Sequence, residues 1–150
     1  MAELITNLVN RLPKNTDLYV TADHGMVNVG EKIVLGQDNE LMRNISLVGG
    51  EPRARHMYVN EGALDETVAE WREFLGDRAR VLTKSEVVSS ELFGSEVSSD
   101  SFDRMGDFMA IAADEVILID PTRIPQESTM VGHHGGVTET ETAIPLLKFL

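Results

Sequence analysis

Apolar positions along this chain switch period repeatedly, and the switches lay out alternating helices and strands. Leu4, Ile5, Leu8, Val9 and Leu12 fall on one helical face and predict a helix over residues 3–12. Pro13 and the polar run Lys14-Asn15-Thr16-Asp17 end it, and Leu18-Tyr19-Val20-Thr21-Ala22 reads as a buried strand. Ile33-Val34-Leu35 and Ile45-Ser46-Leu47-Val48 are strand-like, joined by a polar link over 37–40. Gly49-Gly50-Glu51-Pro52 is a turn signal, with Arg55-His56-Met57-Tyr58-Val59 as the next strand. Leu64, Val68, Trp71 and Leu75 share the face of a helix over 63–75, with Phe74 beside them. Asp65 and Glu66 suit its positive end and Gly76 its terminus.

Beyond it, Arg80-Val81-Leu82 is a short strand. Thr83-Lys84-Ser85-Glu86 matches a capping box for a helix reaching about Leu92. The serine-rich stretch 94–101 reads as a loop. Residues 108–113 and 116–119 are apolar runs around Asp114-Glu115, either a hairpin or two consecutive strands. A proline-containing loop covers 120–129. Thr138 and Glu141 can cap a short helical turn, and Pro145 places the last apolar segment at a sheet edge or strand start. The rhythm is that of an α/β protein. No repeat or linker interrupts it, so residues 1–150 are expected to form a single domain.

Composition narrows the function. With 42% apolar residues the chain can build a core. A net charge of −12 argues against a nucleic-acid polymer as partner, which normally requires a basic face. There is no cysteine, so any metal must be held by His, Asp, Glu or neutral oxygen ligands. No apolar run approaches the ~20 residues of a membrane helix, and Met1-Ala2-Glu3-Leu4 does not open a signal peptide. The expected location is cytoplasmic.

Two histidine sites carry the candidate chemistry. Asp23-His24 follows an apolar strand, where functional residues of α/β sheets collect. His133-His134 lies far downstream between glycines. Asp-His-Gly alone also suits an ordinary turn in which Asp caps backbone N–H groups, and two histidines in a loop are unexceptional. In combination they suit zinc or manganese. Arg53 and Arg55 are either solvated strand-end charges or contacts for a substrate phosphate. His56 reads as structural or surface, and Asp103, Arg104 and Asp107 as local ion pairs.

Thr21-Ala22-Asp23-His24-Gly25-Met26, with Val131-Gly132-His133-His134-Gly135-Gly136-Val137-Thr138-Glu139 and Ile144-Pro145-Leu146-Leu147, resembles the C-terminal part of the alkaline phosphatase superfamily. The branch it resembles is the type I phosphodiesterase/nucleotide pyrophosphatase group, and residues 50–59 share that resemblance. The resemblance implies a partial alkaline-phosphatase-like sheet flanked by helices, with a small additional β hairpin. It implies two divalent metal ions, zinc or else manganese, with Asp23 and His24 on one and His134 on the other; His133 is a neighbour. It further implies phosphate-ester or nucleotide hydrolysis by in-line displacement.

The metal-held Thr or Ser nucleophile of such enzymes has no counterpart before Asp23. The chain therefore corresponds to the C-terminal portion of a longer metallohydrolase, expected to be inactive alone and to self-associate through uncovered apolar surface. The alternatives are a phosphatase, sulfatase or phosphomutase of the same superfamily, or a non-catalytic interaction or oligomerisation domain.

Overall fold

The computed structural model describes residues 2–36 and 39–149. In chain order the elements are α1 (Ala2–Val9), β1 (Leu18–Thr21), β2 (Val27–Asn28), β3 (Glu31–Val34), β4 (Ile45–Glu51), β5 (Ala54–Val59) and α2 (Leu64–Leu75). They continue with β6 (Ala79–Thr83), α3 (Lys84–Ser89), α4 (Ser99–Arg104), β7 (Phe108–Ala112), β8 (Val116–Ile119), β9 (Gly132–His133), α5 (Glu139–Thr142) and β10 (Leu146–Phe149). The chain is α/β, as its periodicity implies. The expected link at 37–40 lies in part outside the described residues.

The largest sheet is antiparallel, in the order β4-β5-β7-β6. Its central strand β7 is buried on both faces, which is why its sequence is continuously apolar rather than alternating. Phe108, Ala110 and Ala112 point into one cluster with Val68, Trp71 and Leu75 of α2. Met109 and Ile111 point the other way, against Val87 and Met105. Trp71 stands edge-on to Phe108 at 5.3 Å and donates its indole N–H to the Leu41 carbonyl at 3.0 Å. Phe74, at the flank of this face, is exposed.

Strands β7 and β8 follow one another but do not form a hairpin. β8 pairs in parallel with β3, and the Leu118 N–H reaches the Pro52 carbonyl at 2.8 Å, joining this pair to the larger sheet. The hairpin of the fold is β4–β5. Its turn lies at Pro52-Arg53, later than the glycine pair suggested, because Gly49 and Gly50 continue the strand. Gly50 adopts φ +74°, and a Cβ there would overlap the Ala54 carbonyl oxygen.

Helix boundaries are set by their caps. The Thr83–Glu86 capping box forms, but α3 ends at Ser89, short of Leu92. Ser98 caps α4 inside the stretch expected to be a loop, its hydroxyl accepting from the Ser101 N–H. Asp107, expected in an ion pair, instead accepts the Val59 N–H at 2.8 Å.

Among the described residues β1 pairs only with β10, antiparallel, as Pro145 suggested for an edge. It is not the buried strand its composition implies: Tyr19 is exposed, while Leu18 and Val20 are half-buried. Helix α1 buries no side chain, leaving Leu4 59% and Leu8 46% exposed. No helix among the described residues is long and apolar enough to cross a membrane.

Candidate functional site

β1 delivers Asp23 and His24 just beyond its carboxyl end. Thr21 anchors that end by donating its hydroxyl to the Pro145 carbonyl at 2.8 Å. The Asp23 carboxylate accepts the His24 N–H at 3.0 Å. Its own backbone N–H and that of His24 hold its pKa below the ordinary carboxylate value, helped by the nearby imidazoles of His24 and His134. The His24 Nδ1 lies 2.7 Å from the Gly25 carbonyl. A carbonyl only accepts, so Nδ1 bears a proton. The His24 Nε2 stands 3.6 Å from Asp23 Oδ2.

His134 comes from the other end of the chain. β9 pairs with β2, placing His133 opposite Val27 and Gly132 opposite Asn28. The two histidines then diverge, as neighbours on an extended backbone do. His133 is buried, its Nε2 3.3 Å from the Glu127 carbonyl. The His134 ring instead stacks on His24, with centroids 3.6 Å apart and planes inclined by 16°. Asp23, His24 and His134 are thus brought together, and His133 is set apart. His56 belongs to the scaffold: its Nδ1 accepts the Gly106 N–H at 3.1 Å, and burial lowers its pKa.

Arg53 and Arg55 overturn their expectation. Neither is solvated nor free for a phosphate, since both are buried with their guanidinium groups committed. Arg53 donates from Nε and Nη2 to the two oxygens of Glu141, at 2.9 and 2.8 Å, and from Nη1 to the carbonyls of Asp114 and Val116. Arg55 donates to the carbonyls of Leu118 and Gly50 and to the buried carboxylate of Glu127. The sequence offers one signal for this: two arginines in and just after a tight turn in an acidic chain. Their partners lie 88 and 72 residues away and leave no local trace.

Glu141 also closes the capping box of α5, accepting from the Thr138 hydroxyl and N–H. Its other oxygen accepts the Gly136 N–H at 2.8 Å. Burial alone would raise its pKa, but the bonds from Arg53, Thr138 and Gly136 outweigh it and bring the value to about 2.

Among the described residues no group of three His, Asp or Glu side chains is disposed to hold a metal ion as it stands. The donor chemistry fits one nonetheless. Asp23 Oδ2 and His24 Nε2, 3.6 Å apart, approach the ~3.4 Å between neighbouring ligands of a tetrahedral zinc with bonds near 2.1 Å. The proton on His24 Nδ1 is held by a backbone carbonyl, the usual orienting partner of a metal-binding imidazole.

Comparison with known proteins places this geometry in context. The model of the family "Type I phosphodiesterase / nucleotide pyrophosphatase" matches residues 1–137. Human ectonucleotide pyrophosphatase/phosphodiesterase 5 superposes with a TM-score of 0.71 at 18% identity, over 98% of this chain and 37% of its own. The murine protein, as an inactive variant in complex with AMP, gives 0.67 at 20% identity, over 98% and 37%. Phosphonoacetate hydrolase from Sinorhizobium meliloti, in complex with phosphonoacetate, gives 0.61 at 18%, over 89% and 36%. The chain therefore spans a little over a third of each of these structures. No curated protein sequence matches significantly.

Proposed function

Because the chain belongs to the type I phosphodiesterase / nucleotide pyrophosphatase family, we propose that it carries part of the two-metal centre of a phosphoric ester hydrolase. The observation that carries this reading is the convergence of Asp23, His24 and His134 from opposite ends of the sequence. In it, Asp23 and His24 are ligands of one divalent ion and His134 of the other, zinc being the metal best suited to this donor set. Such a pair of ions supplies an activated nucleophile and charge stabilisation of the leaving oxygen in an in-line displacement. The chain's own part is to hold the Asp23 carboxylate ionised and to orient the His24 ring, with Nδ1 on the Gly25 carbonyl and Nε2 toward Asp23. The substrate class is a nucleotide or related phosphate ester. The nucleophile and remaining ligands come from residues outside these 150, so the chain alone is inactive.

Calorimetric zinc titration of the chain tests the site. The wild-type protein is expected to bind zinc, and Asp23→Ala and His134→Ala each to abolish or severely weaken binding. Unchanged binding in both variants would overturn the metal-ligand assignment.

A second role is favoured by the uncovered apolar surface of α1 and the β1–β10 ribbon, where Leu4, Leu8, Tyr19, Leu146 and Leu147 are exposed. This surface suits an interface, either with further parts of a longer enzyme or between copies of the chain.

A further inference from the structure

Two loops form the candidate site, and both are fastened to one residue. The Gly25 N–H, directly after Asp23-His24, donates to the Glu141 backbone carbonyl at 2.7 Å. The Gly136 N–H, two residues after His134, donates to the Glu141 carboxylate at 2.8 Å. That carboxylate is fixed from behind by the bidentate Arg53 guanidinium, which the β4–β5 turn supplies and which has no exposed surface. Both glycines sit where a side chain does not fit. A Cβ at Gly25 would overlap the Thr140 carbonyl oxygen, and one at Gly136 would come within 2.7 Å of Glu141 Oε2.

We infer that Glu141, locked by Arg53, is the positioning residue of the centre: it sets the separation of the Asp23-His24 loop from the His134 loop. The functional meaning of that separation rests on the proposed metal reading, whereas the fastening itself does not. Glu141 bonds to the two loops through different atoms, backbone oxygen to one and carboxylate to the other. Displacing its carboxylate therefore frees the His134 loop directly. It frees the Asp23-His24 loop only as far as α5 shifts. A structural ion pair distant from the site would not distinguish the two loops in this way. Loss of a group that orients metal ligands typically weakens metal binding roughly 10–100-fold.

Amide hydrogen exchange and zinc calorimetry on the full chain, as Glu141→Gln and as Gly136→Ala, test the inference. Gly136→Ala retains both charged residues, Arg53 and Glu141, and needs no positive φ, so it remains informative if Glu141→Gln fails to fold. In metal-free protein, both variants are expected to lose protection at Gly136 and keep it in β7. Zinc binding is expected to weaken roughly 10–100-fold. Retained Gly136 protection in a folded variant, or unchanged zinc affinity after its loss, would overturn the inference. Absence of zinc binding by the wild-type chain would instead count against the metal reading, leaving the exchange result to judge the fastening alone.

Discussion

Acidification should unlock the Glu141 clamp, and the energy can be worked out. The carboxyl group falls from an ordinary value of 4.5 to about 2 in the folded chain. At about 1.36 kcal/mol per pH unit, that difference amounts to about 3 kcal/mol of folding stability. The folded value is the depressed one, so the contribution is complete above pH 4.5 and drains away as pH falls toward 2. By pH 3 about 2 kcal/mol should be gone, a large share of the 5–15 kcal/mol typical of a domain. The assay is urea unfolding at pH 7 and pH 3, followed by the fluorescence of the single tryptophan, Trp71, which is fully buried. Glu141→Gln is the control. It should be weaker at pH 7, by about 3–5 kcal/mol, because Arg53 is left buried without its counter-charge. Between pH 7 and 3 it should lose about 2 kcal/mol less than wild type, since every other carboxylate titrates alike in both. Equal losses would refute the assignment of that energy to Glu141.

Gly25→Ala is expected to destabilise the chain by about 1–3 kcal/mol, because the new methyl group meets the Thr140 carbonyl rather than a yielding side chain; thermal unfolding against wild type measures it. Leu8→Glu and Leu146→Glu should each shift the chain toward monomer, and light scattering that finds wild type monomeric at high concentration would contradict an interface there. A chromogenic phosphodiester should not be turned over by the chain with zinc or manganese, and brisk hydrolysis would disprove the need for residues beyond it. Arg55→Met should cost about 3–5 kcal/mol through the stranded Glu127 carboxylate, read by urea unfolding at neutral pH.

Local chemistry was legible in the sequence, and distant pairing was not. The α2 face, the Thr83 and Thr138 capping boxes and the proline-led edge strand β10 all depend on residues within a few positions of one another. Asp23, His24 and His134 could be picked out as candidates because strand-end and glycine-flanked histidine patterns are also short-range, and the structure brings the three together. What the sequence concealed is the destination of each polar group. Arg53 and Arg55 look like surface charges until Glu141 and Glu127 reach them from far along the chain. β7 and β8, apolar and adjacent, read equally as a hairpin or as two consecutive strands, and nothing local chooses the second. The partner of β8 turns out to be β3, and a parallel pair has no turn to announce it. The short α4 escaped because four serines outweigh the single cap that Ser98 supplies.

The span of the Arg53–Glu141 contact has a kinetic consequence. A protein is synthesised from its N-terminus, and these partners are 88 residues apart. The β4–β5 hairpin closes locally through a two-residue turn, and β6 and β7 add to it soon afterwards. Arg53 is therefore expected to be seated early, its Nη1 on the carbonyls of Asp114 and Val116, before Glu141 reaches its remaining donors. Glu141 completes them, and through its bonds to the Gly25 and Gly136 N–H groups the same residue holds the Asp23 and His134 loops. The sequence separations thus predict that the candidate centre is assembled late, upon contacts that close earlier.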